Sequence, residues 1–233
     1  MECNFTFAHL EHIFDTAISE GYCLITLKDY FLGNYDTHKK NMIIRVDVDI
    51  DCFRVRRIVE YLNKRKMRAT FFFRLHAKYN IFSFEIFNII QELIKDSHEL
   101  GIHTELVDMQ AICKRDPGEL LAHEIKTFES LFKTKIFGTA AHGDFTGFNN
   151  LEFWKQFKAS DFGLVYEAYD PALFDNCLYV SDSQITSWKA YNNGKLITGD
   201  NRCACQHVKG GSRLVTLLIH PCTYYDKHFH EGV

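Results

Sequence analysis

Strand-like apolar runs and amphipathic helical stretches alternate along this chain, and that alternation limits the possible folds more than any other feature. Met67 to Phe73 and Leu214 to Ile219 are apolar over most or all of their length, as strands of a parallel sheet covered on both faces must be. Tyr22–Leu27, Met42–Val46, Gly101–Glu105, Lys135–Ala141, Gly163–Glu167 and Cys177–Ser181 also read as strands. Between them, Asp51 to Lys66 sets Val55, Ile58, Val59 and Leu62 at helical spacing, with Asp51 as its cap. Phe84 to Lys95 is a second such helix. Asp116-Pro-Gly-Glu119 starts a third that runs to about Leu131, with Asp as cap and Pro at the first helical position. Phe5 to Ser19 is helical at the start, and Asn150 to Phe157 later on. Repeated strand–helix units predict an α/β parallel sheet or barrel, in one domain over residues 1–233.

The net charge of −3 provides no basic field for nucleic acid or anionic lipid. No apolar run approaches the length of a membrane span. The first residues, Met-Glu-Cys-Asn-Phe, are acidic and lack the charge pattern of a signal peptide. Eight cysteines are scattered, several within apolar strands, which fits reduced thiols and a cytoplasmic location better than a disulfide framework. Cys203-Ala-Cys205-Gln-His207 is the one local cluster, and with no second Cys/His pair at zinc-site spacing it is not expected to hold a structural metal.

Polar residues gather where the strands end. Asp47 and Asp49 close one strand, Arg74 and His76 another, His103 and Glu105 a third; His142 with Asp144, Asp182, and His220 close others. In parallel α/β folds this is the edge where ligands bind. Asp47, Asp49 and Asp51 stand at alternate positions, so a regular strand turns them to one face. Like charges on one buried face need a cation, an arginine or protons to offset them.

In order, these pieces resemble the polysaccharide deacetylase superfamily (NodB-like, carbohydrate esterase family 4), particularly members with an Arg-His-Asp-Val-Asp first motif. Arg45-Val-Asp-Val-Asp49 resembles that motif, with Val46 in place of His. Ala69-Thr-Phe-Phe-Phe73 is similar to the strand after the first helix. Ser97-His-Glu-Leu-Gly-Ile-His103-Thr104 resembles the Gly-His-Glu-Ile-Gly-x-His-Thr/Ser motif, and Leu217-Leu-Ile-His220 the late Leu-x-His motif. The resemblance spans Arg45 to Pro221. It implies a distorted (β/α) barrel, often seven-stranded, and metal-assisted hydrolysis of an amide, usually the N-acetyl group of an amino sugar.

Carried over by position, the resemblance makes Asp47 the base and His220 the acid. It makes Asp49 the metal carboxylate and His103 the first metal imidazole. The position of the usual second metal His is Val107, which cannot ligate. Three solutions stay open: His142 replaces it, Glu105 or Asp108 supplies an oxygen, or the site is lost; His142 is favoured. Arg45, Arg74, Asp144, Asp182 and Trp188 are expected to contact substrate or orient the catalytic groups. The Arg-Pro-Pro motif of the family is absent, with Thr139-Ala-Ala-His142 in its place. One carboxylate and two imidazoles suit Zn²⁺, with Fe²⁺, Co²⁺ or Ni²⁺ as alternatives. The expected substrate is an N-acylated amino sugar, a sugar nucleotide or a surface-polysaccharide precursor. Two alternatives remain: another amide target, such as an N-formyl sugar or a cyclic amide, or a metal-free glycan- or partner-binding pseudoenzyme.

Overall fold

A computed structural model describes residues 4–184, 187–200, 202–227 and 231. Ten strands form one sheet: β1 (Tyr22–Ile25), β2 (Lys40–Val48), β3 (Thr70–Phe73), β4 (Glu99–Thr104), β5 (Gly138–Ala141), β6 (Tyr166–Glu167), β7 (Leu178–Ser181), β8 (Lys189–Asn192), β9 (Lys195–Leu196) and β10 (Leu214–Ile219). The helices are α1 (Phe7–Ser19), α2 (Leu27–Phe31), α3 (Val55–Lys64), α4 (Phe84–Lys95), α5 (Leu106–Cys113), α6 (Pro117–Phe132), α7 (Pro171–Phe174) and α8 (Ala204–Lys209). Strand order is β6-β5-β4-β3-β2-β10-β7-β8-β9, with β1 beside β2.

The ladders are parallel from β6 across to β7. Strand β2 is the longest and the most fully paired. One edge carries β10 along Asn41–Val46. The other edge is shared by β1, opposite Lys40–Ile43, and β3, opposite Arg45–Val48.

Alternation along the strands separates two cores. Ile44, Val46 and Val48 of β2 face outward with Phe71, Phe73, Leu100 and Ile102, under the apolar faces of the helices. Ile43 faces inward with Phe72, Ala140, Tyr166, Tyr179 and Leu218. Seven parallel strands, β2 to β6 with β7 and β10, surround this inner cluster, as a distorted barrel requires. Among the described residues no backbone pairing closes the sheet on itself. The edge of β7 away from β10 pairs with antiparallel β8 instead of β6. Aromatic side chains span the gap, with Tyr169 and Phe174 lying 6.0 and 5.2 Å from Tyr179, centroid to centroid.

Several boundaries shift for local reasons. Helix α3 starts at Val55 rather than Asp51, because the Asp51 side chain accepts from Phe53 N and Arg54 N and holds a turn ahead of the helix. Only Tyr166 and Glu167 remain of the expected Gly163–Glu167 strand, since a 3₁₀ turn over Ala159–Phe162 ends on Gly163 at φ 72°. The β8–β9 hairpin turns on Asn193-Gly194, both at positive φ (49° and 73°), the conformation such a dipeptide favours. Helix α6 starts as expected, with Asp116 accepting from Glu119 N at 2.8 Å. Among the described residues no helix is long and apolar enough to cross a membrane.

The inner core leaves no room beside two glycines. A Cβ on Gly101 would run into the Phe72 ring, and one on Gly138 into Tyr166. Overpacking of this kind costs roughly 1–3 kcal/mol. Gly101→Ala is therefore expected to lower the unfolding free energy by that amount, read as a lower urea midpoint at unchanged m-value; an unchanged midpoint would show that the ring has space to move.

Candidate active site

The inner face of β2 carries Arg45 and Asp47 in turn, and Asp49 follows past its end. Arg45 is wholly buried, and its Nε and Nη2 donate to Asp47 Oδ1 and Oδ2 at 2.9 and 2.7 Å. Its guanidinium also lies 4.3 Å from the centre of the Tyr169 ring. Burial alone would raise the Asp47 carboxyl pKa, but Arg45, through charge and hydrogen bond, together with His103 and His220 holds the group below the usual carboxylate range. Asp49 shows the same balance: burial pushes upward, while His103, His220 and His142 pull its carboxyl below the ordinary value.

Three imidazoles converge on Asp49 from three other strands. His103, on β4, donates from Nδ1 to the Ala140 carbonyl at 2.8 Å. A carbonyl only accepts, so this bond fixes the tautomer. Nε2 then points at Asp49 Oδ1 (3.2 Å) and Asp47 Oδ2 (3.3 Å). His142 follows β5 with Nε2 3.7 Å from Asp49 Oδ1, and its ring stacks on Phe145 at 5.1 Å. Burial, then the neighbouring His103, lowers the His142 pKa, which favours the neutral imidazole. His220 follows β10 with Nε2 3.8 Å from Asp49 Oδ2. Its Nδ1 and main-chain N both donate to Asp182, at 2.5 and 2.9 Å. Burial opposes charge on His220, but Asp182 first, then Asp49 and Asp47, together overcome it and push the pKa up to about 9.

These groups line a cavity of about 350 Å³ at the C-terminal ends of the strands, with Tyr169, Ser183 and Cys222 on its wall. Ligand atoms of Asp49, His103 and His142 lie within 4.8 Å of one another. Asp49 Oδ1 is buried and makes no aligned hydrogen bond. In the neutral imidazole, His103 Nε2 carries a lone pair, so acceptor atoms face each other here. Such a meeting is unfavourable without a proton or a cation. The residues present thus fit a divalent metal, through one carboxylate oxygen and two imidazole nitrogens.

The other candidates take different places. Val107 lies on α5, its amide bonded to Asn150 Oδ1. Asp108 spends both oxygens on the loop after His142, accepting from Phe145 N, Thr146 N, Thr146 Oγ1 and Asn150 Nδ2, so the ligand role considered for it is corrected. Glu105 lies near His142 (3.6 Å), but Oε1 is held by Arg74 Nη2 at 2.5 Å. Arg74 also donates to the Asp49 carbonyl at 3.0 Å, bracing the turn that presents Asp49. Arg45, Arg74 and Asp182 are all buried and take the second of their two expected roles, holding Asp47, Asp49 and His220 in position. Two further expectations are corrected. Asp144 is exposed and does not line the cavity, because the chain turns outward after Gly143. Trp188 points to the opposite face of the sheet, where it is buried in the outer core and stacked on Phe5 at 5.4 Å.

Tyr79 and Tyr169 are site residues that sequence reasoning missed. Tyr79 donates to the Val48 carbonyl at 2.7 Å and accepts from Arg74 N at 2.8 Å, clamping the end of β2. Nothing in the sequence around either tyrosine signals these contacts.

No protein-family model and no curated protein matches the chain. Solved structures do match. A mutant of the peptidoglycan deacetylase PdaC from Bacillus subtilis is 15% identical with a TM-score of 0.51, covering 82% of this chain and 81% of its own. BA3943 from Bacillus anthracis, described as a CE4 family pseudoenzyme, is 16% identical with a TM-score of 0.50 over 80% of this chain. A mutant of it described as having restored enzymatic activity matches equally, at 16% and 0.50 over 80%. The match covers 56% of the wild-type BA3943 chain and 58% of the mutant's. With its parallel sheet and strand-end site, the chain has the fold of the carbohydrate esterase family 4 polysaccharide deacetylases, the NodB-like fold.

Proposed function

We propose that this chain is a metal-dependent amide hydrolase that removes an N-acyl group, N-acetyl in the first instance, from an amino sugar, a sugar nucleotide or a surface-polysaccharide precursor. The observation that carries the reading is the meeting of Asp49, His103 and His142 at one point, with a second carboxylate, Asp47, beside them and His220 across the cavity.

A divalent ion held by Asp49, His103 and His142 would act as a Lewis acid, polarising the amide carbonyl and lowering the pKa of water from about 16 to about 7. Asp47 serves as the base. Arg45 keeps it ionised and fixes both oxygens, so its remaining lone pairs are aimed at the cavity. His220 serves as the acid: below a pKa of about 9 it holds a proton on Nε2, ready for the departing nitrogen. Asp182 keeps that imidazole charged and oriented.

A second reading, a metal-free glycan- or partner-binding module, is favoured by Val107 in the usual ligand position and by the pseudoenzyme description of BA3943. Metal content separates the two. Asp49→Ala and His103→Ala are each expected to bind one equivalent less of divalent ion than the unmodified protein, measured by plasma emission after dialysis. Equal metal content in all three would rule out this ligand set and favour the binding module. Asp47→Asn is expected to keep the ion and lose on the order of 10²–10⁴ in kcat for acetate release from N-acetylated amino sugars. Full activity in that variant would remove Asp47 as base. Asp182 raises the His220 pKa, so Asp182→Asn is expected to move the alkaline limb of the pH profile of kcat/KM to lower pH; an unmoved limb would mean that His220 is not the titrating acid.

A further inference from the structure

On the far side of the sheet from the cavity, α8 packs against α1 in the outer core. Cys203 caps α8 and Cys205 lies in its first turn. Their sulfur atoms converge, 2.7 Å apart, in buried surroundings. The sequence alone offers this cluster no second Cys/His pair at zinc-site spacing. The fold brings a donor from elsewhere: a ring nitrogen of His9, on α1, lies within 4.8 Å of both sulfurs.

His9 is the unusual member. It is 1% exposed, yet among the described residues neither ring nitrogen has a hydrogen-bond partner. Buried imidazoles normally satisfy at least one nitrogen, and leaving both unsatisfied is costly. Burial, followed by the nearby His12, lowers its pKa, so the ring is in the neutral form that ligates metal. A buried imidazole lone pair turned toward two thiols describes a soft-metal site that lacks only its ion.

We propose that His9, Cys203 and Cys205 hold a structural zinc ion, separate from the strand-end site. Two thiolates and one imidazole select zinc over magnesium or calcium, which prefer oxygen. The fourth tetrahedral position goes to water. Zinc–sulfur bonds of about 2.3 Å place two sulfurs roughly 3.8 Å apart, so loading opens the pair by about 1 Å, a small side-chain rotation. Each thiol gives up its proton on binding. The ion ties α1 to α8 and so clamps the first helix onto the body of the fold. Its role is stability, not turnover.

Cobalt(II) titrated into the reduced protein tests this directly, because sulfur-to-cobalt charge transfer absorbs in the near ultraviolet and the strand-end ligands Asp49, His103 and His142 contribute no sulfur. The expected band saturates at one equivalent per chain in Asp49→Ala, where cobalt does not divide between two sites. It persists in Asp49→Ala and in Cys222→Ser, vanishes in the double variant Cys203→Ser/Cys205→Ser, and needs at least tenfold more cobalt in His9→Gln. In the Asp49→Ala background, where the strand-end ligand set is broken, added zinc is expected to raise the Tm, and no longer to do so once Cys203→Ser/Cys205→Ser is added. Should the variants fail to fold, a zinc-soaked crystal of the unmodified protein gives the answer, with an anomalous peak between the two sulfurs and a His9 nitrogen. No thiolate band in the unmodified protein, a band that survives the double variant, or no anomalous peak at that position would overturn the proposal. These readings do not involve deacetylation, so they stand or fall apart from the strand-end site.

Discussion

The ion pair between Arg45 and Asp47 is the interaction on which the candidate site depends. Both side chains are buried inside the barrel, and each charge would be very costly alone. Paired in two parallel hydrogen bonds, and with Tyr169 facing the guanidinium, they form a polar floor to the cavity. Asp49 stands one pleat above that floor with no arginine of its own. Three imidazoles surround it instead, each brought by a different strand end. The lower carboxylate is neutralised within the chain. The upper one is left for whatever cation the cavity admits.

Around this centre, the structural supports are mainly hydrogen bonds to backbone. The Ala140 carbonyl sets the His103 ring, the Val48 carbonyl receives Tyr79, and the Asp49 carbonyl receives Arg74. Asp108 and Asn150 hold the loop that presents His142. Such supports fix orientation without adding charge to the cavity, and ligands held this way are better placed to bind a metal. The strand-end position of the cavity agrees with the general location of sites in parallel α/β folds.

Much of this was legible in the sequence because it rests on short-range periodicity. The two-residue alternation puts Asp47 on the inner face with Arg45, and the apolar strands locate His103, His142 and His220 at their ends. What stayed hidden depends on contacts between distant segments. The inward position of Arg45 follows from the same alternation, yet its role as a buried partner rather than a substrate contact appears only once Asp47 and Tyr169 lie against it. Trp188 was misplaced because a single residue next to an antiparallel strand gives no sign of which face it takes. The β8–β9 hairpin was legible in Asn193-Gly194, a strong turn signal, and went unread among longer apolar runs. Barrel closure could not be judged from pattern at all, since it depends on which strand takes the last edge of β7.

The crowding of β2 has a consequence for how the protein acquires its site. Leu214 lies opposite Asn41, and Ile219 opposite Val46, so one side of the central strand waits for residues that leave the ribosome late. Contacts so remote in sequence form slowly. Until they do, the acidic end of β2 has neither His220 beside it nor a settled register, and a shift of one residue would turn Arg45 and Asp47 toward the helices. A nascent chain halted before β10 would thus hold most of its helices while lacking His220 and the strand that flanks Asn41–Val46.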